Sequence, residues 1–417
     1  MSTTSIDLQL RPIGASHEVR PPIIALGSGI TLAAVLNVIR RAGIPTYATC
    51  PENDFVQGSR WFRPLPDGVK LDADNLPSGL TALPFSKAVL LPCSDDWLRA
   101  VINLPPDLAK RFSASVAGKV AETFIDKLKF SRLLDRLRIP HPRTCVVESI
   151  DELDAIEDIH GALLKPLSSV EFSARYGVKG YLVDSRAEAL SLLQQLDLPI
   201  LVQEFIPGPP NSAYFLDGFR DRKGQVRALF ARRRIRMHPA RLGNSTYITS
   251  IPVEEVRAAA FSLEYLLESV QYRGIFSAEF KFDFRDQTFK LIEINARPWW
   301  YVEFAANCGV DVCSMAYRDA LGMPVVPITD YKIGRSCVFA ANDFRAWRGS
   351  DRSTPLFSLV RSWLGADSTP FHWSDPGPAF RYIRSNIADF LRSRSGKRTS
   401  SGRNQARGAL GLTPNLP

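Results

Sequence analysis

Glu279, Glu293, Asn295 and Arg297 are the residues whose types and spacing point most directly to chemistry. They lie in the run GIFSAEFKFDFRDQTFKLIEINARPWWY, Gly274–Tyr301. Between Ser277 and Phe284 the side chains alternate, with Glu279, Lys281 and Asp283 on one side and Phe280, Phe282 and Phe284 on the other. A second arm repeats the pattern, with Ile292, Ile294 and Ala296 expected on one face and Glu293, Asn295 and Arg297 on the other. Arg285–Thr288 supplies a polar turn, so the run reads as a β-hairpin that sets Glu279 opposite Glu293. Two carboxylates and an amide oxygen on one face suit Mg²⁺ held together with nucleotide phosphates. Arg297, one pleat further on, suits a phosphoryl group in transit. The competing reading is a hairpin with a solvated charged face. Against it stands the outward Asn295, a poor strand former that needs a reason to be there.

Other elements must bring a ligand to this face. The stretch Asp126–Pro140 carries Phe130, Leu133, Leu134 and Leu137 at helical spacing, with Lys127 near its N-terminus. Ala162–Lys165 reads as a strand, followed by a polar loop from Leu167 to Gly180 with Ser168, Ser169, Ser173, Gly177 and Lys179, a composition suited to closing over phosphates or to an ordinary hairpin loop. Ser149-x-x-Glu152 and Ser185-x-x-Glu188 read as capping boxes opening two helices. Ile200–Ile206 is a short strand ended by Pro207-Gly208-Pro209-Pro210. Ala228–Arg236 is a strand with Arg232, Arg234 and Arg236 on one face, which would repel one another unless anions lie over them. Phosphates, a carboxylate substrate or plain solvent would satisfy that requirement. Upstream, Ile23–Leu26, the turn Gly27-Ser28-Gly29, a stripe of Leu32, Val35, Leu36 and Ile39, and a strand from Thr46 to Thr49 make a βαβ unit. Leu32 stands where the third glycine of a dinucleotide fingerprint would be. Ala88–Leu91 is a further strand, whose Pro92–Asp96 loop caps a helix starting near Trp97.

Glu279, Glu293-Ile-Asn295 and Arg297, preceded by Lys127, Lys165 and Glu204 in that order, resemble the ATP-grasp superfamily of carboxylate–amine ligases, with its D-aspartate ligase-like members nearest in KLIEINARPWW and FHWSDPGP. The resemblance implies an α/β (α+β) fold: an ATP-grasp fold with an N-terminal Rossmann-like pre-ATP-grasp domain and a small C-terminal accessory region. The expected divisions are a loose leader at 1–20, the Rossmann-like domain at 21–120, the ATP-grasp domain at 121–325 with its link near 203–210, the accessory region at 326–391 and a disordered basic tail at 392–417. Carried over residue by residue, the resemblance implies ATP held by Lys127, Lys165, Lys179, Gln203, Glu204, Phe205 and Ile206. It implies Mg²⁺, with Mn²⁺ as substitute, on Glu279, Glu293 and Asn295, and Arg297, Arg234 and Arg236 at the reacting groups. Where the family often places an acid for the ribose, this chain has Pro209, Pro210 and Asn211. The implied reaction activates a carboxylate as an acyl-phosphate and joins it to an amine. Its rivals are a non-catalytic ATP-binding module and an oxidoreductase using the Gly27–Gly29 turn.

Composition narrows the partners. With 417 residues, 45% hydrophobic and 23% charged, the chain has room for two or three globular cores. Six of its nine excess positive charges fall between Arg392 and Arg407, so the body is nearly neutral and nucleic acid is not the expected partner. Small-molecule carboxylate and amine substrates are expected, and a homodimer stays open. The six scattered cysteines fit a reduced, cytoplasmic protein. The uncharged stretch Pro21–Ile39 is marginal in length and poorly apolar, so no membrane span is expected.

Overall fold

The computed structural model describes residues 20–116, 118–156, 159–167, 175–176, 178, 180–240, 242–349 and 354–385. Lys179, with Ser168, Ser169, Ser173 and Gly177 of the expected phosphate loop, lies outside them, as do the leader before Arg20 and the basic tail.

The N-terminal βαβ reading holds. Strands β1 (Ile23–Leu26), β2 (Thr46–Thr49), β3 (Ala88–Pro92) and β4 (Phe112–Ser113) form a parallel sheet in the order β2-β1-β3-β4. All four residues of β1 are buried, as befits a central parallel strand covered on both faces. Helix Gly29–Arg41 covers one face with Leu32, Val35, Leu36 and Ile39. Gly27 is required by close approach, since a Cβ there would stand 2.7 Å from the Cβ of Cys93. The supposed membrane stretch is thus a strand and a helix of this layer, and among the described residues no helix is long and apolar enough to cross a membrane.

A second sheet is wholly antiparallel. Its strands β5 (Thr144–Val147), β6 (Ala162–Pro166), β7 (Tyr181–Val183) and β8 (Ile200–Glu204) run in the order β5-β8-β6-β7. Of the two expected capping boxes, Ser185 caps helix Arg186–Leu193 by accepting from the Glu188 amide at 3.2 Å. The other opens only a 3-10 turn, Ile150–Ala155, and Ser149 makes no side-chain cap.

The third sheet is the frame of the molecule. It comprises β9 (Ala213–Arg220), β10 (Val226–His238), β11 (Asn244–Ile251), β12 (Gly274–Asp283), β13 (Thr288–Asn295), β14 (Ser336–Val338) and β15 (Asp367–Ser368), in the order β13-β12-β9-β10-β11-β14-β15. One face packs on helix Arg257–Ser269 through Leu263, Leu266 and Phe280. Within the expected accessory region, β14 and β15 extend this sheet and Asp343 lies beneath β10 with no exposed surface.

Candidate functional site

The hairpin of β12 and β13 pairs Glu279 with Glu293 in direct register. Residues so paired across an antiparallel ladder have Cα atoms about 5 Å apart. Asn295 Nδ2 donates to Glu293 Oε1 at 3.4 Å, so the three expected metal ligands share one face. The ladder contains a bulge that alternation could not predict. Phe280 pairs with Leu291, which leaves Ile292 as the extra residue before Glu293. Strict alternation puts Ile292 on one face with Ile294 and Ala296, opposite Glu293. Instead Leu291, Ile294 and Ala296 are buried and Ile292 lines the cleft beside Glu293.

Facing this hairpin across the cleft stands the second sheet. Lys165 at the end of β6 donates to Gln203 Oε1 at 2.8 Å, and Gln203 in turn donates to Thr144 Oγ1 at 3.0 Å. Lys127, the first residue of helix Lys127–Leu137, donates to the Pro166 carbonyl at 2.7 Å. Burial, and after it the neighbouring Lys165 ammonium, pushes the Lys127 pKa down to about 8, against the opposing pull of Glu293 and Asp95. These groups line a cavity of about 150 Å³ with Glu293 and Asn295, continuous with one of about 200 Å³ that runs to the hinge residues Phe205 and Ile206. Glu204 lines the second cavity, but its carboxylate accepts from Arg285 at 2.6 Å and from the Arg143 amide at 3.1 Å.

The three aligned arginines do not wait for ligand anions. Each has a carboxylate of the chain: Arg232 pairs with Asp217 at 2.6 Å, Arg234 with Glu279 at 2.9 Å and Arg236 with Asp343 at 2.6 Å. Repulsion along the strand is therefore offset internally. Arg234 is further fixed by Nε donating to Ser245 Oγ at 2.9 Å, and Glu279 is positioned through it. Arg297 Nε donates to Asp95 Oδ1 at 2.7 Å. Asp95 opens helix Asp95–Ile102 just after β3, so this contact joins the Glu293–Asn295 end of the hairpin to the parallel sheet. Its role was not visible in the sequence, where Asp95 reads only as a helix-capping acid.

The fit of a divalent cation can be judged on the donor set. Glu279, Glu293 and Asn295 offer hard oxygen atoms, and among the described residues no Lys or Arg nitrogen forms an ion pair with Glu293. The described residues contain no group of three or more His, Cys, Asp or Glu able to hold a metal. Two carboxylates and an amide therefore match a cation whose remaining ligands come from phosphates and water. In the parallel sheet, the dinucleotide alternative meets a local obstacle at the turn after β1. Gly29 N, at the start of the first helix, donates to Asp54 Oδ2 at 2.8 Å, so an acid already occupies the place of a pyrophosphate.

Comparison with known proteins agrees with this geometry. No protein-family model matches the chain. A D-aspartate ligase of Enterococcus faecium (strain Aus0004) is 24% identical over 279 residues, a match covering 63% of this chain and 64% of that protein, just under two thirds of its length. An N5-carboxyaminoimidazole synthetase from Staphylococcus aureus superposes with a TM-score of 0.60 at 12% identity, covering 80% of this chain and 86% of that one. A carboxyaminoimidazole ribonucleotide synthase from Aspergillus clavatus, complexed with ATP, does so with 0.59 at 14% identity, over 76% and 80%. A phosphoribosylglycinamide synthetase from Anaerococcus prevotii gives 0.55 at 13% identity, over 76% and 79%. With its parallel N-terminal sheet and its cleft between an antiparallel and a larger mixed sheet, the chain shares the fold of these synthetases.

Proposed function

We propose that the chain is an ATP- and Mg²⁺-dependent ligase that activates a carboxylate as an acyl-phosphate and couples it to an amine. The reading rests above all on Glu293, an exposed carboxylate that forms no ion pair among the described residues, opposed to Glu279 and joined by Asn295 across a cleft from two lysines. A substrate carboxylate oxygen attacks the γ-phosphorus of ATP, the bond to the β-phosphate oxygen breaks and ADP leaves. The amine nitrogen then attacks the acyl carbon, the carbon–oxygen bond to phosphate breaks, and an amide, phosphate and a proton result. Protein work here is positioning and charge neutralisation. Lys127 and Lys165 hold phosphates, Gln203 and the hinge Phe205–Ile206 border the base, and Ile292 gives it an apolar wall. Bound Mg²⁺, or Mn²⁺, on Glu279, Glu293 and Asn295 supplies charge neutralisation at the phosphates. Arg297, held by Asp95, steadies the transferred phosphoryl group. Arg234 acts through Glu279, and Arg236 serves the sheet more than the reaction. Lys179 is retained as a phosphate ligand from the loop. The domain divisions expected from the sequence, with 21–120 presenting the acceptor and 121–325 holding the nucleotide, form part of the same proposal, as do small-molecule substrates and a cytoplasmic setting.

The test is release of ADP and phosphate from Mg²⁺-ATP by the purified protein. Pooled carboxylates and amines are added, led by D-aspartate, which the relative's name makes the first candidate. Release that requires both an acid and an amine is expected. Bound nucleotide without turnover across the pools would overturn the ligase reading in favour of a nucleotide-binding module.

Lys127 gives this proposal a pH signature. Its folded pKa of about 8 lies below the ordinary 10.5, so the free protein gains stability from this group as pH rises between those values. Nucleotide binding has the opposite sign, because phosphates require the protonated ammonium that the fold disfavours. ADP affinity is therefore expected to weaken as pH rises through about 8, by up to about tenfold per pH unit. Calorimetry at successive pH values checks this. The slope should flatten in Lys127→Met, and a slope unchanged in that variant would remove Lys127 from the phosphate site.

A further inference from the structure

A larger cavity of about 600 Å³ lies beside the nucleotide cleft and shares Phe205, Arg234, Met237 and Lys281 with it. Its volume falls within the range of about 300–1,000 Å³ typical of organic-ligand sites. The far wall is apolar, formed by the hinge prolines after β8 and by Trp347 of helix Ala340–Gly349. No described residue of the parallel sheet lines it, so it is separate from the Asp95–Arg297 contact at the opposite end of the cleft.

Its charged groups are all basic: among the described lining residues there is no Asp or Glu. Arg234 and Arg236 are neutralised from outside the cavity by Glu279 and Asp343. Lys281 is not. The two acids flanking it on the same strand face are already engaged, Glu279 by Arg234 and Asp283 by Arg285 at 2.6 Å. Among the described residues Lys281 forms no ion pair, and its ammonium sits 4.7 Å over the Phe205 ring. Such a group, at the edge of an apolar cavity, is matched by an anion carried on an apolar body.

We propose that this cavity binds an organic acid with an aromatic or otherwise apolar body, its carboxylate on Lys281 and its body against Met237 and Trp347. The site does not depend on whether the chain turns over ATP. Calorimetry on the full chain with 2-naphthoate and its uncharged counterpart 2-naphthamide tests it. The acid is expected to bind about tenfold tighter than the amide or better, as a charge-assisted hydrogen bond implies. Lys281→Met should erase that preference. Trp347→Ala should weaken naphthoate while leaving ADP binding intact, which also shows that the variant is folded. Ala346→Phe, which fills the cavity from its wall, should exclude naphthoate without touching ADP. Glu293→Gln should bind naphthoate as the parent does, whatever its effect on turnover. The proposal is overturned if naphthoate does not bind, if acid and amide bind alike, or if the preference survives Lys281→Met. Naphthoate binding that ignores both Trp347→Ala and Ala346→Phe would place the acid in the nucleotide cleft and overturn it equally.

Discussion

Glu293→Gln is expected to lower substrate-dependent ADP release by roughly a hundred- to a thousandfold, the range found when a preorganised electrostatic group is removed from a reacting centre. The substitution keeps the shape and removes the charge that the proposed metal would pair with. It should leave the fold intact for a reason visible in the structure: Glu293 is exposed and accepts one long hydrogen bond, from Asn295 at 3.4 Å. Surface changes of this kind shift stability by no more than about 0.5 kcal/mol. ADP should still bind through Lys127, Lys165 and the hinge. The informative pattern is thus unchanged thermal unfolding, retained ADP binding and collapsed turnover. Full turnover in the variant would sink the assignment of the metal to this hairpin.

The second large effect is on stability and arises far from the reaction. Asp343 has no exposed surface, and its carboxylate accepts from Arg236 Nε at 2.8 Å, Arg236 Nη2 at 2.6 Å, Thr246 Oγ1 at 2.7 Å and Trp363 Nε1 at 2.8 Å. Asp343→Ala would strand a part-buried guanidinium and leave two further donors without their acceptor. Removing one partner of a buried pair costs about 3–5 kcal/mol, a large share of the roughly 5–15 kcal/mol that holds a domain together. A marked fall in the urea midpoint is expected, followed by tryptophan fluorescence, with Trp363 itself reporting on the lost contact. Asp343→Asn should fall less, since its amide oxygen still accepts one donor. An unchanged midpoint in Asp343→Ala would show that the C-terminal helices do not secure the sheet.

How far the sequence reveals these features depends on the range of the interaction. The pairing of Glu279 with Glu293, the buried stripe of the first helix and the Ser185 cap follow from patterns within a few residues and appear as expected, whereas the bulge at Ile292 breaks the alternation. The partners of the arginines do not. Arg236 finds its acid 107 residues downstream and Arg297 finds Asp95 202 residues upstream, distances over which periodicity carries no information. Three arginines on one strand face therefore look like an anion site when read locally, and prove to be one side of a set of internal ion pairs. The C-terminal region is equally opaque. Its strands are three and two residues long, too short to show alternation, and only the pairing of β14 with β11 and of β15 with β14 reveals them as part of the central sheet.

The bulge at Ile292 carries a consequence for how this strand tolerates change. On either side of it the ladder obeys strict alternation, with Leu291 and Ile294 inward and Glu293 toward the cleft. Excising Ile292 alone would close the ladder into a regular one in which Glu293 still faces Glu279. The apolar wall of the cleft and its acidic pair are thus separable units written on the same strand. A one-residue deletion here would remove this apolar wall, and with it the proposed contact to the base, while sparing the carboxylates, an outcome no single substitution in the acids could mimic.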